Sequence, residues 1–228
     1  MTTTVLYSSY KIWQKSCIAS GIDGYRNAYE LKNIYELDLI YNKFIINNYR
    51  DDNRYYHNIN HINQCFNQYD IIVEKIPISC PEEIMMAIWF HDVIYDPRRS
   101  DNELKSANLA DLCLSRYISR NAVSRIANMI LLSGQHSQII EENLSIDKQV
   151  FLDIDLSILG QAPEIYDAYS ENVRKEYSFI DDDIFYVKRK EILENFLKKK
   201  NIYHTQYFIE TIGSQAIKNI KREIYSIK

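Results

Sequence analysis

The chain has 228 residues, and only five are glycine and four proline, where those two types together average about 12% of a globular protein. Neither occurs between Gly24 and Pro77, Pro97 and Gly134, or Pro163 and Gly213. Sheet proteins with frequent hairpins need such residues at their turns, and no G-x-G-x-x-G or G-x-x-x-x-G-K-[ST] phosphate cradle is present. A net charge of −4, with 27 Lys+Arg against 31 Asp+Glu, gives no general attraction to nucleic acid. Long helices remain, and the fold class expected is all-α.

At 27.1 kDa, surface scaling gives roughly 11,000 Å² folded against about 39,000 Å² unfolded, enough burial for one core without metal or disulfide support. Cys17, Cys65, Cys80 and Cys113 have no C-x-x-C spacing and read as free thiols in a reducing compartment, so a cytoplasmic location is expected. No apolar run approaches the length of a membrane span, and the MTTTVLYSSYK start does not read as a secretory signal. No linker divides the chain.

Periodicity predicts helices over residues 5–19 and about 29–48, the latter on Leu37 and Ile40 among others. Another is expected from about His57 to Val73, ended near Ile76-Pro77. Pro81, followed by Glu82 and Glu83, announces a helix through about Tyr95, closed by Pro97. Ser100-Asp101 reads as the start of a helix to about Ser119. A helix over 121–132 is broken at Gly134, and an apolar segment from Phe151 to Leu159 ends at Gly160, read as a C-cap. Helices over 163–179, 183–199 and from about 204 complete the chain. The basic tract from Lys198 to Lys221 and Arg222 reads as a solvated helix face rather than an anion track.

His57 and His61 stand four apart, sharing one face if helical. His91 falls on the apolar stripe Ile84, Ala87, Ile88, His91, Tyr95, with Asp92 beside it, and Asp153 and Asp155 interrupt the apolar run 151–156. Buried carboxylates and imidazoles need partners or a metal. Each feature alone has a bland reading, since a core histidine is usually just hydrogen-bonded. Together they predict a divalent cation of the Mn, Mg, Fe, Co, Ni or Zn kind, held by imidazole and carboxylate.

The order H…HD…D on a helical chain resembles the HD-domain superfamily of metal-dependent phosphohydrolases. Arg54–Ile62 (RYYHNINHI), Trp89–Asp96 (WFHDVIYD), Ser100–Glu103 (SDNE), Leu152–Gly160 (LDIDLSILG) and Val173–Tyr177 (VRKEY) resemble a bacterial branch of predicted HD phosphohydrolases, from about residue 30 onward. The resemblance implies one HD-type helical domain over 1–228, with a metal-binding core at about 54–160 and C-terminal helices at about 163–228. It favours His61 over His57 as first ligand and Asp155 over Asp153 as last, with His91 and Asp92 between them. Asp153 then supports a ligand or a nearby water.

Implied activity is hydrolysis of a phosphoester or phosphoanhydride in a small phosphorylated metabolite, a nucleotide above all, by metal-activated water. Asp92 belongs to the catalytic group, and Glu103 is the candidate general acid/base, or else a first-turn carboxylate favoured by the helix dipole. Arg54 and His57 are candidates for holding substrate phosphate, assisted by Asn102. His136 binds substrate, serves a second metal or caps a helix. Two other readings stand beside this one. The chain is a non-catalytic nucleotide sensor that keeps the metal site, or an oxidative enzyme with paired irons, for which only His136 is an obvious extra ligand.

Overall fold

The computed structural model describes residues 3–22, 31–136 and 144–227. Residues 29 and 30 of the expected second helix lie outside that set. Among the described residues every regular element is helical and no strand occurs. Helix α1 spans Thr3–Ala19, and α2 covers residues 31–49, with a π-helical stretch at Ile40–Ile46. Then follow α3 (Ile59–Ile72), α4 (Pro81–Phe90), α5 (Asn102–Leu114) and α6 (Arg120–Ser133). Helix α7 (Ile146–Asp155) runs into a 3₁₀ turn, Leu156–Gly160. After it come α8 (Pro163–Glu176), α9 (Asp182–Lys198) and α10 over residues 206–226, interrupted by a π turn at Ile209–Gly213.

Helix α4 is the centre of the molecule. Pro81 stands in its first turn with Glu82 and Glu83, and every residue from Glu83 to Phe90 is buried. A helix that is apolar on all sides must be enclosed on all sides, and α1, α3, α5, α6 and α7 all pack on it. Its one buried charge, Glu83, is held by Arg125 through two bonds of 2.6 and 2.8 Å. Trp89 meets Trp13 edge to face and donates its indole N–H to Ser16 Oγ at 3.1 Å.

Of the boundaries that differ from the sequence expectation, three have a tertiary reason; the helix expected to reach about Ser119 also ends early, at Leu114. Helix α4 stops at Phe90 rather than near Tyr95. Beyond it, Arg54 takes the carbonyls of Asp92 and Val93, and Ser106 Oγ exchanges bonds with both backbone groups of Ile94. These partners satisfy the peptide groups that a longer helix would have paired internally. Helix α3 begins at Ile59, two residues after His57. Asn58 caps it by accepting from the Asn60 N–H and donating to the carbonyls of Arg54 and Tyr55. The segment expected over 151–159 starts earlier, at Ile146, and divides at Asp155.

The C-terminal helices are tied to the rest by buried polar contacts. Tyr203 donates to the Leu156 carbonyl at 3.2 Å, and Asn219 to those of Leu159 and Gln161 at 2.9 and 2.8 Å. Lys198, Lys200, Lys218, Lys221 and Arg222 are exposed, and Arg222 pairs with Asp167 at 2.6 Å. Gly160 serves close approach rather than the left-handed cap expected of it. A Cβ there would lie 2.7 Å from Ile212 Cβ and 2.8 Å from its carbonyl oxygen. Backbone cannot yield as a side-chain tip does, so Gly160→Ala should cost about 1–3 kcal/mol, read as a lower midpoint in thermal unfolding. An unchanged midpoint would show that the 3₁₀ turn and the π turn are not locked together.

Candidate metal centre

Four side chains from three helices meet around one point. His61 comes from the first turn of α3, His91 and Asp92 follow the last residue of α4, and Asp155 ends α7. His61 Nε2 lies 3.1 Å from His91 Nε2, 3.1 Å from Asp155 Oδ1 and 3.7 Å from Asp92 Oδ2. His91 Nε2 lies 3.1 Å from Asp92 Oδ2 and 3.4 Å from Asp155 Oδ1. Donors about 2.1 Å from a common ion stand about 3.0 Å apart at neighbouring octahedral corners and about 3.4 Å apart on a tetrahedron. The separations around the two imidazoles fall in or close to that range, and His61, His91 and Asp92 form one grouping able to hold a divalent ion, with His61, Cys65 and Asp155 a second that shares His61. Adjacent helical residues diverge by about 100°, but α4 has ended, so the chain turns Asp92 to the same side as His91.

Both imidazoles are almost wholly buried, with 3% of His61 and 1% of His91 exposed. His91 Nδ1 lies 3.0 Å from the Ile88 carbonyl; a carbonyl accepts only, so Nδ1 carries the proton and Nε2 can offer its lone pair. Among the protein groups alone, burial lowers the His91 pKa, but Asp92 and Asp155 raise it further, so the net shift is upward. Burial pushes both carboxyls up, but that imidazolium, together with His57 at Asp92 and with His136 and His61 at Asp155, outweighs it, and both carboxyls lie below the usual range. Burial and the same two carboxylates drive the Cys65 thiol, 3.7 Å from His61 Nε2, well upward, so it stands there as a neutral S–H.

The other predicted residues separate into those at the centre and those occupied elsewhere. His136 Nε2 sits 2.8 Å from Asp155 Oδ2 and so orients that carboxylate; Lys199 in turn donates to the His136 carbonyl. Asp153 corrects the expectation of a supporting role beside a ligand. Two residues apart on a helix means about 200°, and its oxygens accept from the backbone N–H groups of His204 and Thr205 and the Thr205 hydroxyl, each at 2.7 Å. It anchors the start of α10. Arg54 is also corrected. Its guanidinium donates to the carbonyls of His57, Asp92 and Val93 at 3.2, 2.6 and 3.0 Å, so it is a strut between two ligand-bearing segments rather than an open phosphate hook. Asn102 is spent on both backbone groups of Asp96, clipping the loop before α5.

A cleft of about 530 Å³ opens at the centre, bordered by Asp92, Asp155, His57, Glu103 and His136. Glu103 reaches it across Gly134, where a Cβ would come within 2.6 Å of the Glu103 carboxyl carbon. His57 stacks on Tyr95, with centroids 4.1 Å apart, and its Nδ1 lies 2.6 Å from Glu176 Oε2. With that edge engaged, the ring has only Nε2 to present to a ligand.

Two residues without an assigned role in the sequence reading emerge here. Glu176, buried at the end of α8, accepts from the backbone N–H groups of Tyr56 and His57 and from the Tyr95 hydroxyl, at 2.7, 2.9 and 3.1 Å. Tyr56 lines the cleft, its ring 4.9 Å from that of His61, and its buried hydroxyl has no hydrogen-bond partner among the described residues. Both lie inside the quoted motif stretches, but nothing in one sequence separates them from the many other tyrosines and glutamates.

The Glu176–His57 pair makes stability pH-dependent. Burial lowers the His57 pKa, but Asp92 and Glu176 raise it further, so the net shift is upward from 6.5. Burial raises that of Glu176, but His57 lowers it more, giving a net shift downward from 4.5. The raised histidine contributes fully below 6.5 and is lost as pH rises through its folded value. The depressed carboxylate contributes above 4.5 and is lost as pH falls through its own. Glu176→Gln should therefore reduce thermal stability most between about pH 4.5 and 6.5, and less at pH 9. An equal loss at both pH values would leave only a neutral hydrogen-bonding role for Glu176.

Compared with known proteins, the chain matches no family model, no curated protein and no solved structure, so the reading of the site stands on its chemistry and geometry.

Proposed function

We propose that this chain is a metal-dependent phosphohydrolase of the HD type, cleaving a phosphoester or phosphoanhydride of a small phosphorylated metabolite. The observation that carries the reading is the convergence of Asp92 and Asp155 on the His61–His91 pair, with each imidazole 3.1–3.7 Å from both carboxylates, beside an open cleft. Two neutral imidazoles and two carboxylates suit Mn, Fe, Co, Ni or Zn better than Mg, which prefers oxygen donors alone. Such an ion supplies Lewis-acid polarisation of a phosphoryl oxygen and brings water toward deprotonation at neutral pH.

The remaining work falls to the chain. His91 holds the correct tautomer through Ile88, and His136 fixes the orientation of Asp155. Arg54 fastens the His57 and Asp92 backbones together, so the HD pair and the cleft wall cannot move apart independently. Tyr56 brings a hydroxyl with an unused donor to the cleft, suited to a phosphoryl oxygen. His57 Nε2 is placed to do the same. Glu103, which also borders the cleft, takes the proton from the attacking water. Hydrolysis then breaks the P–O bond, with the proton delivered to the leaving oxygen.

The test begins with metal analysis and turnover of p-nitrophenyl phosphate and a panel of nucleotides. About one divalent ion per chain is expected, and His91→Ala and Asp92→Ala should each lose both ion and turnover while keeping helix content by circular dichroism. Metal retention and turnover in both variants would sink the site. Glu103→Gln should retain the ion and lose about 10²- to 10⁴-fold in kcat; a normal rate removes it from the mechanism. Tyr56→Phe should also keep the ion but lose about tenfold to a hundredfold, the worth of one hydrogen bond to a charged oxygen.

A further inference from the structure

We infer that the cleft takes a ligand with a single phosphate on an apolar body, an alkyl or aryl phosphomonoester, in preference to a nucleoside polyphosphate. This rests on the phosphohydrolase reading and narrows it. Away from the centre, the cleft is walled by Val173, Ile180, Ile184, Phe185, Ile192 and Phe196. The wall is a consequence of helix periodicity. Positions 184, 188 and 192 of α9 lie one turn apart, as do 169, 173 and 177 across the end of α8, so two stripes face the same space. Ile184 is 59% exposed and Ile192 44% exposed, so an apolar ligand lying on them would remove from water surface that the chain itself leaves uncovered.

Charge points the same way. Among the described residues bordering the cleft, the carboxylates are Asp92, Glu103 and Asp155, and the Lys and Arg side chains are Lys188 and Arg189. Arg189 is committed to Glu223 at 2.7 and 3.1 Å and to the Tyr169 hydroxyl. Lys188, between Ile184 and Ile192 on the α9 stripe, is among the described residues the one cation of that wall left to a ligand, since its 2.8 Å pair with Glu191 is solvent-exposed and weak; it can meet one charge, not the several of a triphosphate. Asp92 and Asp155 together match the charge of one divalent ion. One phosphate can be met by that centre, the Tyr56 hydroxyl and His57, but the further charges of a triphosphate would face an apolar wall at a desolvation cost.

The experiment measures binding of non-hydrolysable alkylphosphonates by calorimetry, from methyl to octyl, with the manganese-loaded protein, and ATP as the contrasting ligand. The dissociation constant should fall about two- to fourfold per added methylene, the gain expected when most of each group is buried. Ile184→Asp and Ile192→Asp, at positions exposed enough to change without opening a cavity, should flatten that gradient. A chain-length gradient absent in the wild type, or ATP binding more tightly than octylphosphonate, overturns the inference. The two readings fail separately. Turnover of p-nitrophenyl phosphate with a flat gradient discards the apolar-body ligand and keeps the hydrolase. A steep gradient with no hydrolysis of any phosphoester discards the hydrolase and keeps the ligand class.

Discussion

The interaction on which the rest depends is the one that stops α4. A helix enclosed on every side has its C-terminal end inside the protein, where its last carbonyls carry partial negative charge and need partners. Arg54 caps the chain just beyond that end by taking the carbonyls of Asp92 and Val93. The result is a buried turn with two side chains, His91 and Asp92, delivered to one side. Asp155, at the end of α7, adds a second helix C-terminus to the same spot. Two such ends and two carboxylates gather negative potential at one spot, and the imidazoles of His61, His91 and His136 are the groups that meet it.

Around that centre the polar side chains act as ties between distant segments. Glu176 binds the chain just before α3 to the end of α8, and Asp153 binds α7 to the start of α10. Each tie spends both oxygens of a carboxylate on backbone N–H groups or neighbouring side chains, which is how a buried acid is tolerated. The apolar wall of the cleft belongs to α8 and α9, whereas the clustered imidazoles and carboxylates belong to α3, the turn after α4 and α7. Glu176 thus links the part that would recognise a substrate to the part that would act on it. A change in the C-terminal helices can therefore reach the centre through the Tyr56–His57 backbone without touching a ligand.

Several sequence expectations survived because they rested on local physics. Pro81 with two acidic residues opened a helix where expected, and Gly134 lies just past the end of α6. The inward placement of His91 followed from apolar neighbours at the right spacing. Arg54, Asn102 and Asp153 find their partners in the chain's own backbone, which residue type alone does not reveal. Residue type shows that a guanidinium, amide or carboxylate wants partners, not whether those partners will be a ligand or the chain's own backbone. Tyr56 and Glu176 went without a role on the same account.

What this sequence determined alone is what a residue and its near neighbours settle: helices rather than strands, their approximate number and starts, and which acids and imidazoles lie in apolar surroundings. Those follow from dihedral preference, capping and the 3.6-residue period, all of which act over a turn or two. Which of those groups share one point in space was decided only by tertiary structure. That choice depends on where α4 ends, which face α7 turns inward and which carbonyls Arg54 reaches, and each is set by contacts between residues that the chain holds tens to more than a hundred positions apart.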